Sequence, residues 1–271
     1  MNLWQALILG IVQGATEYIP VSSSAHLVLV PWLLGWPDAS FAFEVLVQWG
    51  TLVGVFIFLW ADIWAIVKGF VSGLLQRQPF GNREAVLGWL VIVATLPAVI
   101  LGLLFKDLFE TAFEAPVFVG ALLILTALLL VIAERFGSRT RALDQLNWLE
   151  ALIIGLWQAA AILPGISRSG ATIGGAVLRG FDRPSAARFS FLMSIPALLG
   201  AGAVALGDLV EAGTLAMELP AISVGFVGAA VSGYLCIRWL LHYLQRHSLY
   251  VFAAYCAVVS ILSIIVAVVR G

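Results

Sequence analysis

Pro164-Gly165-Ile166-Ser167-Arg168-Ser169-Gly170-Ala171-Thr172 interrupts one of the most apolar stretches of the chain. Pro164 and Gly165 end any helix arriving from Trp157, because proline removes a backbone donor and glycine is costly to order in a helix. Ser167, Ser169 and Thr172 then surround Arg168, and Gly170 allows close backbone approach. A turn that presents N–H groups beside hydroxyls and a guanidinium suits a phosphate oxyanion, since arginine forks onto two oxygens at once. The competing reading is a loop at a membrane edge whose Arg168 snorkels to water. Arginine inside such a run is rare, and that rarity marks a site.

Composition makes the surroundings a membrane. Of 271 residues, 62% are hydrophobic and 11% charged, and the mean hydropathy is +1.06. A soluble domain of this size needs more polar surface, whereas a polytopic helical membrane protein does not. Ten Trp and sixteen Phe suit aromatic belts and lipid contact. A net charge of −1 gives no ground for a nucleic-acid partner. Cys236 and Cys256 lie in apolar helical runs and read as packed thiols rather than a disulfide. The first Lys or Arg is Lys68, so a cleaved leader with a basic start is not expected.

The N-terminal stretch is broken in the same way. An apolar run from Leu3 reaches Gln13-Gly14-Ala15-Thr16-Glu17, breaks at Pro20, and gives Ser22-Ser23-Ser24-Ala25-His26 before a second run to Leu34. Each half is too short to cross about 30 Å of hydrocarbon. Polar irregular backbone survives at membrane depth only inside protein or beside a water-filled cavity. A re-entrant helical hairpin is therefore expected here, and a second over 149–181. Gly10-Ile11-Val12-Gln13, Pro20, Ser22 and Ser24 in the first parallel Gly155-Leu156-Trp157-Gln158, Pro164, Ser167 and Ser169 in the second.

Spans are expected near 42–60, 85–105, 116–134, 186–206, 219–241 and 249–269. Basic loops fall at 68–83 (Lys68, Arg77, Arg83), 135–141 (Arg135, Arg139, Arg141) and 238–246 (Arg238, Arg246). Acidic ones fall at 106–115 (Asp107, Glu110, Glu114) and 207–218 (Asp208, Glu211, Glu218). The positive-inside rule puts the first set in the cytoplasm and the second outside, with both termini outside. One hairpin plus three spans is an odd number of crossings, so the second copy must be inverted. The expected fold is a single all-α polytopic membrane domain over 1–271. It is an inverted repeat, with repeat 1 about 1–141 and repeat 2 about 142–271, and its polar hairpins meet at the repeat interface.

Those hairpins carry the candidate chemistry. Gln13 and Glu17 are four apart, on one helical face. Glu17 is a carboxylate in an apolar setting, able to hold a divalent cation or act as a base. Ser23 and His26 are three apart, so a helical turn could bring them within hydrogen-bond reach as nucleophile and base. Glu44 either lines the same cavity or caps its span. Glu84, Glu134 and Glu150 read as loop-edge acids, and Arg179, Asp182, Arg183 and Arg188 as a solvated face. A carrier for a phospholipid-like molecule would also use an inverted repeat and an arginine, but it would need neither nucleophile nor base.

Gln13 to Glu17 and Pro20 to His26 together resemble the (Glu/Gln)-x-x-x-Glu motif and Ser-rich turn of the undecaprenyl-diphosphate phosphatases of the bacitracin-resistance type. Pro164 to Thr172 is similar to that family's Pro-Gly-x-Ser-Arg-Ser-x-x-Thr motif, and the match follows the whole chain in order and spacing. Gln13 stands where some members carry Glu, and Ser24 where Thr is common. The resemblance implies hydrolysis of undecaprenyl diphosphate to the monophosphate carrier in a bacterial plasma membrane, from a site opening outward. It implies catalytic roles for Glu17, Ser23, His26 and Arg168. Phosphate contacts would come from Ser22, Ser24, Ser167, Arg168, Ser169 and Thr172. A divalent cation, Mg²⁺ or Ca²⁺, would sit at Glu17 with Gln13. The implied partners are a polyprenyl diphosphate and the bilayer, with a homodimer left open. The Lys-x6-Arg-Pro and Ser-Arg-x5-His patterns of phosphatidic-acid-type phosphatases do not occur, since Arg183-Pro184 lacks the lysine and Ser167-Arg168 the histidine.

Overall fold

The structure, a computed structural model, describes residues 1–106, 108, 112 and 115–270. Asp107, Glu110 and Glu114, on which the first acidic loop was read, lie outside the described residues.

Eleven α-helices are defined among the described residues: α1 Leu3–Glu17, α2 Ser23–Leu34, α3 Phe41–Phe58, α4 Trp60–Leu75, α5 Arg83–Leu104, α6 Pro116–Phe136, α7 Trp148–Ala160, α8 Arg168–Leu178, α9 Arg183–Glu211, α10 Leu215–Leu244 and α11 Tyr250–Arg270. Six of them, α3, α5, α6, α9, α10 and α11, are long and apolar enough to cross a membrane. The chain is an all-α, multi-span membrane protein.

The expected basic loop over 68–83 is corrected in part, because Lys68 lies on helix α4. Trp60, Trp64, Val67, Val71 and Leu74 are all exposed and recur at helical spacing. Trp60 and Trp64 stack at 6.0 Å. One apolar face is enough to form this helix at a hydrocarbon boundary without a span's length.

Both broken segments begin alike. Asn2 and Gln5 form a capping box at the start of α1, with reciprocal 2.9 Å bonds. Asn147 and Glu150 form another at α7, at 3.2 and 3.1 Å. Each such cap satisfies orphan N–H groups of the first turn. α1 packs on α10 and α7 on α5, and each contact needs a glycine. A Cβ on Gly10 would lie 2.1 Å from the Gly225 carbonyl oxygen, and one on Gly155 2.5 Å from that of Ala94. Each first helix of a pair thus lies on a span from the other end of the chain, an arrangement compatible with an inverted repeat.

α6 and α11 pack together and hold the two breaks. From α6, Thr126 Oγ1 accepts from Ser167 N at 2.9 Å and donates to the Gly165 carbonyl at 3.4 Å. From α11, Cys256 Sγ donates to the Pro20 carbonyl at 3.7 Å.

Glu134 and Glu150 are not loop-edge acids. They are 5% and 2% exposed. Glu134 binds Arg183 and Arg139 and accepts from Leu249 N at 3.0 Å. Glu150 binds Arg141, with Arg179 at 3.9 Å. Burial of each carboxylate is matched by its arginines, so part of the basic cluster is structural rather than solvated. Arg188, paired with Asp62 at 3.0 Å, stays exposed.

Candidate functional site

The breaks at 18–22 and 161–167 bring two helix starts together. Ser22 caps α2, its Oγ accepting from Ala25 N at 3.4 Å. Its φ of +68° is left-handed, a conformation that costs a non-glycine residue about 1–3 kcal/mol and gathers at functional sites. Ser167 caps α8, its Oγ accepting from Gly170 N at 3.0 Å. Gly165, at φ +100°, makes the turn before it.

Glu17 and Arg168 join the two halves. Arg168 Nη2 donates to Glu17 Oε1 at 2.8 Å. Glu17 Oε2 accepts from Ser23 Oγ and from Gln13 Nε2, both at 2.6 Å. All of these partners are donors, as an ionised carboxylate requires. Arg168 Nη1 reaches the Ser190 carbonyl at 3.4 Å, and the guanidinium sits 5.8 Å from the centre of the Tyr18 ring. Tyr18 is fully buried, edge-on to Phe191 at 4.9 Å. Its cation–π contact places the arginine. No motif pointed to Tyr18; its position next to Glu17 in an apolar run was the only signal.

A cavity of about 400 Å³ opens at this pair. Glu17, Ser22, Ser23, Ser24, Ser167 and Arg168 line it, and Gln48 and Gln158 add carboxamides. The rest of the wall is apolar, with Val45 of α3, Val99 and Leu103 of α5, and Ala201 and Val204 of α9. Lys106, paired with Asp208 at 2.6 Å, also reaches it.

Two expectations need correction. His26 does not pair with Ser23. Its Nδ1 lies 2.7 Å from the Ser22 carbonyl and its Nε2 2.8 Å from Tyr255 Oη, with the rings stacked at 5.6 Å. The imidazole is thus held between its own helix and Tyr255 of α11, and it is not part of the cavity wall. Ser169 and Thr172 are also turned away. Ser169 Oγ donates to the Ile19 carbonyl at 3.1 Å, and Thr172 Oγ1 bonds Ser190 Oγ at 2.6 Å and the Arg168 carbonyl at 2.9 Å. At 1% and 0% exposure they tie the halves together and lie outside the cavity wall. Of the two readings of Glu44, the structure favours the one at the start of its span, since it is buried in the first turn of α3 and lies outside the wall.

Among the described residues no three His, Cys, Asp or Glu side chains converge on a metal site. Glu17 is the one carboxylate of the described wall, and Gln13 Oε1 is a buried acceptor without a partner among the described residues. Mg²⁺ is commonly held by one or two carboxylates plus substrate phosphates rather than by an all-protein cage. The residues present fit a cation shared with a phosphate substrate.

The chain matches the family described as bacitracin resistance protein BacA over residues 6–262. It is 46% identical over 265 residues to the undecaprenyl-diphosphatase of Chlorobaculum parvum, covering 94% of this chain and 93% of that one. With the protein of the same name from Thermomicrobium roseum it shares 44% over 262 residues, covering 94% of each. With that from Myxococcus xanthus it shares 42% over 265 residues, 98% of this chain and 89% of the other.

Proposed function

This chain belongs to the bacitracin resistance protein BacA family, and on that premise we propose that it hydrolyses undecaprenyl diphosphate to undecaprenyl phosphate and inorganic phosphate where Glu17 meets Arg168. The observation that carries the site is that ion pair, 2.8 Å long. It couples the two broken segments at a cavity lined by serine hydroxyls and backed by an apolar wall. The hydroxyls and guanidinium suit a diphosphate, and the wall of α3, α5 and α9 suits the first isoprene units of a lipid.

Arg168 takes the β-phosphate. A guanidinium in a site poor in water stabilises charge far more than one in solution, and it is already oriented by Tyr18. Ser23 is the nucleophile and Glu17 its base, because the 2.6 Å bond between them already points the proton at the carboxylate. Ser23 Oγ bonds to the β-phosphorus, the bond to the bridging oxygen breaks, and undecaprenyl phosphate leaves. The proton taken by Glu17 departs with that leaving group. Water then releases phosphate from Ser23, with Glu17 again as base. A divalent cation at Glu17 and Gln13 would neutralise diphosphate charge. His26 supports Ser23 through the Ser22 backbone rather than by touching it.

The basic ends at Arg139, Arg141 and Arg246 favour the cytoplasm for those loops, and Asp208, beside Lys106 at the cavity, favours the outer face. The cavity then opens outward in a bacterial plasma membrane, and the two segments enter as inverted re-entrant hairpins. The test is phosphate release from undecaprenyl diphosphate by purified protein in detergent. Wild-type protein should release phosphate and Arg168→Ala should release essentially none. A wild-type protein that binds the lipid but leaves the diphosphate intact is a carrier, and the enzymatic reading fails.

A further inference from the structure

Gln158 sits on α7, 2% exposed, on the wall of the same cavity. Its Nε2 donates to the Ala94 carbonyl at 3.5 Å, the outer limit of a hydrogen bond. Its Oε1 is buried with no hydrogen-bond partner among the described residues. Exchanging the amide oxygen and nitrogen makes matters worse, because it sets one carbonyl oxygen against another. Gln13, which occupies the same place in the first broken segment, differs: its Nε2 is tightly bound to Glu17 at 2.6 Å.

A buried acceptor left unmet is costly, and leucine would pack here without that cost. The state fits a group whose partner arrives with the reaction. The wall also holds an unmet buried donor, Arg168 Nε. A diphosphate brings acceptors, which suit Arg168. Oε1 of Gln158 needs an O–H, and water is the reactant that brings one. The last torsion of a glutamine is broad, so its amide can turn into the cavity at little cost.

We propose that Gln158 is a positioning residue for the attacking water, an inference that rests on the hydrolytic reading above. Its Oε1 accepts one O–H of the water and so aims an oxygen lone pair at phosphorus. The water oxygen bonds to phosphorus and the bond from phosphorus to Ser23 Oγ breaks. One water proton passes to Glu17 and on to Ser23 Oγ, while the proton held by Gln158 leaves with inorganic phosphate.

The experiment is turnover of undecaprenyl diphosphate in detergent with methanol added as a competing acceptor, so that phosphorus leaves as inorganic phosphate or as methyl phosphate. Gln158→Leu should lower kcat about tenfold, roughly the effect of one lost hydrogen bond, with KM within about twofold. The ratio of phosphate to methyl phosphate should fall severalfold, since the aimed water has lost its advantage. Gln158→Glu, which keeps an acceptor oxygen, should restore the ratio. Gln158→Met, unbranched like glutamine, gives the same readout if the leucine variant does not fold. A wild-type ratio in the leucine or methionine variant overturns the proposal, because a purely structural role slows both acceptors equally. So does a raised KM at unchanged kcat, which would mean a contact to the substrate itself. Failure of the wild type to release phosphate sinks instead the hydrolytic reading.

Discussion

Replacing Glu17 and Arg168 singly and together separates what their ion pair does for the fold from what it does for turnover. The side chains are 4% and 14% exposed at 2.8 Å, and Glu17 also accepts two 2.6 Å bonds. Arg168→Met leaves the Glu17 carboxylate, 4% exposed, without its cation. Breaking a buried pair in this way costs about 3–5 kcal/mol. Glu17→Gln leaves the guanidinium with Tyr18 and the Ser190 carbonyl, so its cost should sit at the low end, about 3 kcal/mol. With both charges gone no group is left uncompensated, and the double variant should return to within about 1–2 kcal/mol of wild type. Turnover should not return, because base and oxyanion donor are each worth about a hundredfold or more. Thermal unfolding in detergent, followed by tryptophan fluorescence, reads the first quantity, and phosphate release reads the second. If the double variant loses the sum of the two single losses, the pair does not compensate burial. If either single variant keeps more than about a tenth of wild-type turnover, the pair is not at the reacting centre.

Rapid quench with β-labelled substrate should leave label on Ser23, and Ser23→Ala should lose about a hundredfold or more in turnover. Tyr255→Phe, which removes only the hydroxyl on His26 Nε2, should stay within about threefold; a hundredfold loss there would return His26 to the chemistry. Gln13→Glu, setting a second carboxylate beside Glu17, should lower the Mg²⁺ concentration for half-maximal phosphate release by about tenfold, and an unchanged requirement removes Gln13 from the cation. Gly10→Ala puts a methyl 2.1 Å from the Gly225 carbonyl and should lower stability by about 1–3 kcal/mol or more, read as an earlier thermal transition; a wild-type transition would mean that α1 and α10 are not in contact. Single cysteines at Asp208 and Arg246, in a background without Cys236 and Cys256, should react with an impermeant reagent from opposite faces, and labelling of both from one face refutes the assigned orientation.

Hydropathy and charge in the sequence determined the six spans to within a few residues, because a span must be long and apolar whatever it packs against. Pro20 and Pro164 fixed where the segments break, since proline acts on its own helix. Glu17 and Arg168 stood out as a candidate site because charge at membrane depth is rare. Helix α4 was not, because a one-sided apolar stripe resembles a loop by charge and a span by composition.

What only the tertiary structure decided is which partner each polar side chain took. The three-residue spacing favoured Ser23 with His26, but Glu17 across the turn is the nearer acceptor and Tyr255, more than two hundred residues away, holds the imidazole. Ser167, Ser169 and Thr172 look equivalent in the chain, yet Ser167 lines the cavity while Ile19 and Ser190 occupy the other two. Glu134 and Glu150 read as surface acids, but Arg183 at the start of α9 and Arg141 nine residues before Glu150 fold onto them and they are buried. Sequence carries whatever a residue does alone or within its own helix. Hydrogen bonds are short and directional, so their partners are set only once the helices are packed.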